Sequence, residues 1–295
     1  MKLDSRQCAA LLAVIESGSF EQAAALLHLT PSAVSQRVRA LEIFLGSPLV
    51  ARTRPCRATP AGQRLLQYLR RVQSMEQELQ ADFAGEQAAP FRVAIAVNND
   101  TLGSWLLPAL APFLIREQVL LDLSLADQDH TYRLLEAGLA LGCISTEQQP
   151  MRGCVAEPLG AMRYRCMASP QFRANWFAKG MTRAAVRQAP VVVFDRKDRL
   201  QADFLLKHYG LADDAYPCHY IPAADPYMKA IALGLGWGML PELQMRELVA
   251  SGDLVDIAPH RPIDIDLFWH AWKVQSPRLE RLSSTLVREA RKILV

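Results

Sequence analysis

The 295-residue sequence predicts an α/β protein headed by a small all-helical module. Three observations point to this. As far as about Asp82, apolar residues recur at helical spacing. From Phe91 onward, short strand-like runs alternate with helical stretches, the pattern of an open α/β sheet. Charge is also divided: through Met75 ten basic side chains stand against four acids, a net +6 in a chain whose total is +3, so the remainder carries −3. A basic head on a mildly acidic body fits a nucleic-acid-binding module joined to something else.

Leu3–Ser17 reads as the first helix, with Leu11, Leu12, Val14 and Ile15 inward. Phe20, Ala23, Ala24 and Leu27 give a second helix one apolar face. After His28-Leu29, Thr30 suits an N-cap and Pro31 the first helical position, where a missing N–H costs nothing. Val34, Val38, Leu41 and Leu45 then form a narrow inward stripe, and Gly46 ends the third helix. Ser32, Gln36 and Arg39 fall on the opposite face, with Ser35 at its edge. Hydroxyl, amide and guanidinium groups near a helix start are what hydrogen-bond base edges in a DNA groove. A solvated amphipathic hairpin would look much the same. Two neighbours favour DNA: no acid intervenes between Glu21 and Glu42, and the turn-like segment Arg52-Thr53-Arg54-Pro55-Cys56-Arg57 is basic, as a phosphate-binding wing should be. The candidate DNA-binding residues are Thr30, Ser32, Ser35, Gln36, Arg39, Arg52, Arg54 and Arg57.

Thr59-Pro60 should cap a long helix running to about Asp82 or Gly85. Its apolar stripe, with Leu65, Leu69, Val72 and Leu79 as candidate contacts, either packs on its own domain or pairs with a second copy. Gly85–Pro90 reads as a hinge.

Beyond it, strands are expected at Arg92–Val97, Leu120–Leu125, Leu139–Ile144, Arg163–Ala168, Val191–Phe194, Pro217–Ile221, Gly236–Leu240 and Leu267–Trp272. Helices are expected from about Leu102, over Thr131–Ala137, after Phe194, near Pro226–Gly234 and over Pro277–Ile293. Ligands of such folds lie at strand C-termini and helix N-termini. Polar residues cluster at four such ends: Asn98 to Thr101, followed by Ser104 and Trp105; Asp127; Ser145; and Asp195, with Asp225 on a later loop. Each of these also suits a plain helix cap.

Several function classes are disfavoured. There is no G-x-S-x-G, H-E-x-x-H or P-loop, and Gly234-x-Gly236-x-Gly238 leaves a helix for a strand, the wrong order for a dinucleotide fingerprint. His219 beside Cys218 falls within an expected strand. The six cysteines show neither C-x-x-C nor metal-ligand spacing. No catalytic residue, metal or cofactor is therefore assigned. No uncharged stretch reaches membrane-spanning length, and no signal peptide precedes the first helix, so a cytoplasmic protein without a membrane partner is expected.

The string F-x-x-AA-x-x-L-x-x-TPSAVSQRVRALE-x-x-LG-x-PL-x-x-R, followed by ATPAGQRLL, resembles the head of the LysR-type transcriptional regulators. The resemblance implies a winged helix-turn-helix DNA-binding domain over 1–59, a dimerising linker helix and hinge over 60–90, and a two-lobed, periplasmic-binding-protein-like effector domain over 91–295. One lobe would comprise about 91–163 and 268–295, the other about 164–267. The polar strand ends (Asn98, Asp100, Thr101, Ser104, Trp105, Asp127, Ser145, Asp195 and Asp225) would then face an effector in the cleft. VNNDTLGSWLLPALAP, APVVVFD, PCHYI, SGDLVDIAP and LFWHAW are similar to the ArgP/LysG subgroup, which regulates arginine and lysine export. That implies double-stranded DNA and a basic amino acid as ligands, a homodimer that can extend to a tetramer, and RNA polymerase as a further partner. The alternatives are a LysR-type regulator with another small-metabolite effector, and an architectural DNA-binding protein with none.

Overall fold

The structure, a computed structural model, describes residues 3–84, 90–126 and 128–295. The expected hinge at Gly85–Ala89 and the candidate Asp127 lie outside the described residues.

Local capping sets the head. Helix α1 (Ser5–Ser17) starts where the Asp4 carboxylate accepts from the N–H groups of Arg6 and Gln7, and α2 (Phe20–Leu26) where the Ser19 hydroxyl accepts from Glu21 and Gln22. Helix α3 (Pro31–Leu45) follows the expected Thr30 cap, with a 3.2 Å bond from the Ala33 N–H, and stops at Gly46, whose φ of 65° is left-handed. Leu11, Val14, Ala23, Val34, Val38 and Leu41 form its core. Strands β1 (Val50–Ala51) and β2 (Arg57–Ala58) pair antiparallel as the root of the wing. Helix α4 (Pro60–Ala84) starts on the Thr59 hydroxyl, which accepts from the Gly62 N–H at 3.1 Å and donates to the Pro48 carbonyl at 2.6 Å. Gly62 lets α4 come very near: a Cβ there would lie 2.1 Å from the Leu49 carbonyl oxygen. Leu66 and Leu69 thereby join the core of the head.

The body follows in chain order. Strand β3 (Phe91–Val97) leads to α5 (Asn99–Thr101), a π-helical turn (Leu102–Leu106) and α6 (Leu107–Arg116). Then come β4 (Val119–Leu125), α7 (Gln128–Glu136), β5 (Gly142–Ser145), β6 (Cys154–Ala168), α8 (Pro170–Trp176), α9 (Arg183–Gln188), β7 (Val191–Val193) and α10 (Leu200–Tyr209). The chain closes with β8 (Cys218–Tyr220), α11 (Ala224–Ala232), β9 (Gly238–Pro241), α12 (Arg246–Ala250), β10 (Val255–Asp256), β11 (Ile263–Trp272) and α13 (Pro277–Ile293). No described helix is long and apolar enough to cross a membrane.

By contact the chain forms two units. The first comprises 1–98, 112–157 and 269–285, the second 99–111, 158–268 and 286–295. In the first unit β3 lies between β4 and β5, parallel to both, with registers Phe91↔Val119 and Ile95↔Gly142, and the last residues of β11 lie beside β5. In the second, β6 pairs antiparallel with β9 and β10, and β7 pairs parallel with β8. The family resemblance places 99–111, 158–163 and 286–295 in the first lobe; by contact they group with the second unit.

Some elements differ from expectation. β6 begins at Cys154 rather than Arg163, because Pro158 and the left-handed Gly160 (φ 118°) disguise its first half as a turn. β11 begins at Ile263, its first half alternating exposed Asp264 and Asp266 with partly buried residues. β5 starts at Gly142, not Leu139, because Leu139 still closes the end of α7 on the Leu134 carbonyl. The short elements α8, α9, α12 and β10 were not anticipated, although Ser169-Pro170 is a readable helix start.

Gly142 and Trp269 illustrate how tightly the first unit packs. A Cβ on Gly142 would lie 2.3 Å from the buried indole of Trp269. Gly142→Ala is expected to destabilise the chain by about 3 kcal/mol, the upper part of the overpacking range, as measured by urea unfolding.

His270 is buried, its Nε2 2.6 Å from the Glu147 carbonyl oxygen and its ring edge-on to Tyr132 at 5.1 Å. Nε2 therefore carries the proton and donates. Burial pushes the imidazole below its ordinary value of 6.5, opposed in part by the bond to Glu147. The unfolded chain takes up this proton near that ordinary value while the folded chain resists it. The contribution is thus intact above about pH 6.5 and is lost as pH falls through that value towards the lower folded one. Melting curves of wild type and His270→Gln between pH 7.5 and 5 should show a shallower acid loss in the variant; parallel losses would exclude His270 as the cause.

Candidate nucleic-acid interface and effector site

The polar face of α3 is open. Ser32, Gln36 and Arg39 are exposed and Ser35 is half-buried, while Val34, Val38 and Leu41 are buried behind them. The Thr30 hydroxyl is engaged as the helix cap. Arg52, Arg54 and Arg57 are exposed on the wing, where the Arg52 guanidinium lies 5.1 Å from the centre of the Phe20 ring. The acid nearest in sequence is turned away from this face: Glu42 Oε1 accepts from the N–H groups of Leu49 and Val50 at 2.8 and 3.2 Å, tying the wing root to α3. Sequence reasoning missed this role of Glu42. Glu21 stays at the surface, its carboxyl held below the usual range first by the Ser19 hydroxyl and in smaller part by Arg54.

Alongside, α1 and α4 border an apolar groove of about 810 Å3, lined by Leu12, Leu45, Leu65, Tyr68, Leu69 and Val72 among others. Of the expected pairing residues, Leu69 is buried in the head's core, Leu65 and Val72 are half-buried, and Leu79 is 58% exposed. Tyr68 and Met75 are exposed too.

The second unit holds a polar cluster that the sequence identified only in part. Asp100 accepts a 2.6 Å hydrogen bond from the Tyr164 hydroxyl, and its backbone carbonyl accepts from Ser104 Oγ and from Gln244 Nε2. Thr101 and Trp105, on the same turn, are buried. Asp195 acts as a turn cap, one oxygen accepting from the N–H groups of Lys197 and Asp198 at 2.6 and 3.0 Å. The deeper acid is Asp198, which accepts from the N–H groups of Phe194 and Leu200. Behind it, buried Gln201 donates at 2.8 Å to the Tyr227 hydroxyl, which donates to the Met239 carbonyl. Burial raises the Asp100 carboxyl above its ordinary value, the Tyr164 hydroxyl opposing and the Asp198 charge adding. Burial raises Asp198 as well, against its two backbone N–H bonds and with help from the Asp195 charge. Among the described residues, no cationic side chain is one of the groups that set either value. Two mutually repelling, desolvated carboxyls would gain from a cation placed beside them. Asp225 lies exposed in the first turn of α11.

In the first unit, Asn98 and Ser145 are both buried at strand ends. The Ser145 hydroxyl accepts from the Glu147 N–H at 3.1 Å, an ST-turn that shapes the loop after β5. Asp198, Tyr164 and Gln201 are the residues sequence reasoning missed. The one available signal was a second acid three residues after Asp195.

Comparison with known proteins covers nearly the whole chain. Residues 5–63 match the model of the bacterial regulatory helix-turn-helix protein, lysR family, and residues 84–291 match the LysR substrate binding domain. The chain is 40% identical over 293 residues to the transcriptional regulator ArgP of Aeromonas salmonicida, covering 99% of this chain and 98% of that one. It is 41% identical over 286 residues to LysG of Mycobacterium tuberculosis, covering 97% and 93%. Among solved structures it is similar to ArgP from Mycobacterium tuberculosis, with a TM-score of 0.86 at 40% identity and 99% coverage of each chain. It is also similar to full-length LysG from Corynebacterium glutamicum with bound effector arginine, with a TM-score of 0.78 at 34% identity and 99% coverage of each. A helix-turn-helix head with an open polar face, a long linker helix and a substrate-binding body, matched over nearly their full length, place this chain in the LysR family of bacterial transcriptional regulators.

Proposed function

We propose that this regulator reads DNA through α3 and the wing and answers to a basic amino acid, arginine or lysine, bound in its effector domain. The observation that carries the effector reading is the pair of half-buried carboxyls, Asp100 and Asp198, with no cation of the described residues among the groups that shift them. The likeness to a LysG holding arginine supports it. Leaving a cation unpaired in a partly dry site is costly, so acids are what a guanidinium or ammonium group requires. Asp195 contributes charge three residues from Asp198, and Asp225, Asn98 and Ser145 are candidates for ligand contact on their position at element ends alone.

The head spans 1–59, the linker and hinge 60–90 and the effector domain 91–295 in this reading. The chain acts in the cytoplasm as a homodimer, with a second copy's linker helix covering the apolar groove beside α4, the occupant that best matches Leu65, Tyr68 and Val72. Its targets are genes of amino-acid export, and RNA polymerase is the partner through which it acts on them.

On DNA, Arg39→Ala and Gln36→Ala should each lower preference for the cognate site by about 1–3 kcal/mol. Arg52→Ala or Arg54→Ala should weaken cognate and random DNA alike and reduce the salt slope by about one ion. Gel shifts at several salt concentrations separate the two groups; identical behaviour of helix and wing variants would remove the distinction.

For the effector, calorimetry on the full chain should show arginine or lysine binding and no binding of norleucine, which is neutral and of similar length to lysine. Asp198→Asn keeps one oxygen, for the 3.0 Å bond from the Leu200 N–H, gives up the longer 3.4 Å bond from Phe194, and should weaken arginine tenfold or more, about 1.4 kcal/mol, with a melting curve of the variant checking that it still folds. Norleucine binding as tightly as lysine, or undiminished arginine binding by the variant, would remove the acids from the site.

A further inference from the structure

Helix α4 carries a second stripe that the apolar pattern conceals. Gln67, Arg71, Ser74 and Glu78 recur at i, i+4, i+7 and i+11. At about 100° per residue they lie roughly half a turn around the helix from Leu65, Leu69 and Val72. All four meet the body of the first unit. Gln67 Nε2 donates to the Glu136 carbonyl at 2.5 Å, and the Arg71 guanidinium lies 4.7 Å from the ring centre of Trp272. Ser74 Oγ is 3.3 Å from Ser276 Oγ, both side chains buried, and Glu78 Oε1 accepts from the Arg278 N–H at 2.8 Å. Gly138 marks how near the surfaces come: with φ at 71°, a Cβ there would lie 2.7 Å from the Gln67 nitrogen.

The Glu78 contact is an N-cap supplied from another helix. Arg278 is the second residue of α13, so its N–H has no partner within that helix. A carboxylate placed there satisfies an orphan donor and meets the positive end of the helix dipole. Glu78 is only 7% exposed, and burying a carboxylate on the linker helix is costly unless such a partner waits for it. The far end of α13 belongs to the second unit, which contains Asp100 and Asp198. One continuous helix, α13, is thus shared by the unit that holds Glu78 and the unit that holds Asp100 and Asp198.

We infer that Gln67, Arg71, Ser74 and Glu78 form a latch fastening the linker helix to the effector domain, and that its Glu78–α13 contact transmits effector occupancy to the DNA-binding head. The transmission half rests on the proposed basic-amino-acid reading; the fastening half does not.

The test uses the full chain and two readouts. Hydrogen exchange should accelerate about fivefold or more at the first amides of α13 in Glu78→Ala, and stay near wild type in Glu78→Gln, which keeps an acceptor. Operator affinity without arginine, and arginine affinity by calorimetry, should each remain within about twofold of wild type, since Glu78 belongs to neither binding face. The ratio of operator affinities with and without arginine should fall towards one in Glu78→Ala. Arg71→Met, which removes the cation from the Trp272 face, should move the ratio in the same direction and guards against a misfolded Glu78 variant. Tyr68→Ala, on the other face, should leave the exchange at α13 unchanged. Unchanged exchange in Glu78→Ala would overturn the latch. Faster exchange with an undiminished ratio would overturn its part in signalling. Should wild type not bind arginine at all, the effector reading fails, and the exchange readout alone decides the latch.

Discussion

How closely α4 approaches the head constrains everything after it. With no side chain at Gly62, the helix starts almost against the Leu49 carbonyl, and Thr59 bonds both the helix and the Pro48 carbonyl. Leu66 and Leu69 are then core residues of the DNA-binding head. The rotational phase of α4 is set in its first turns, and a helix conserves its phase along its length. The head thus decides which side chains face the body some three turns later, and Ser74 and Glu78 fall where Ser276 and Arg278 can receive them.

Much of this fold was legible because its boundaries are written locally. Thr30-Pro31 and Gly46 bracket α3, Thr59-Pro60 opens α4, and Pro277 opens α13, each a side-chain or φ requirement met within a few residues. The strands that pass from one unit to the other were less legible. Half of β6 contains Pro158 and Gly160, and half of β11 alternates with aspartates. Both are held by neighbouring strands, and pairing with a distant segment overrides a weak local preference.

The carboxyl cluster of the second unit shows the same limit at the scale of one side chain. Asp195 and Asp198 are the same residue type three positions apart after β7, and composition gives no reason to prefer either. The turn decides: Asp195 spends its oxygen on the N–H groups of Lys197 and Asp198, leaving Asp198 as the desolvated acid near Asp100. The groups that make that position unusual, Tyr164 at Asp100 and Gln201 beside Asp198, come from a separate strand and a following helix. Glu42 is a parallel case, since its part in holding the wing root depends on Leu49 and Val50 returning to it.

The exposed face of α3 has an evolutionary consequence. Val34, Val38 and Leu41 hold the helix in place, Glu42 secures the wing to it, and Ser32, Gln36 and Arg39 take no part in either task. Surface positions that support nothing can change at little cost in stability. If α3 reads DNA as proposed, a copy of this chain can therefore drift towards a new operator through those three positions while keeping its fold.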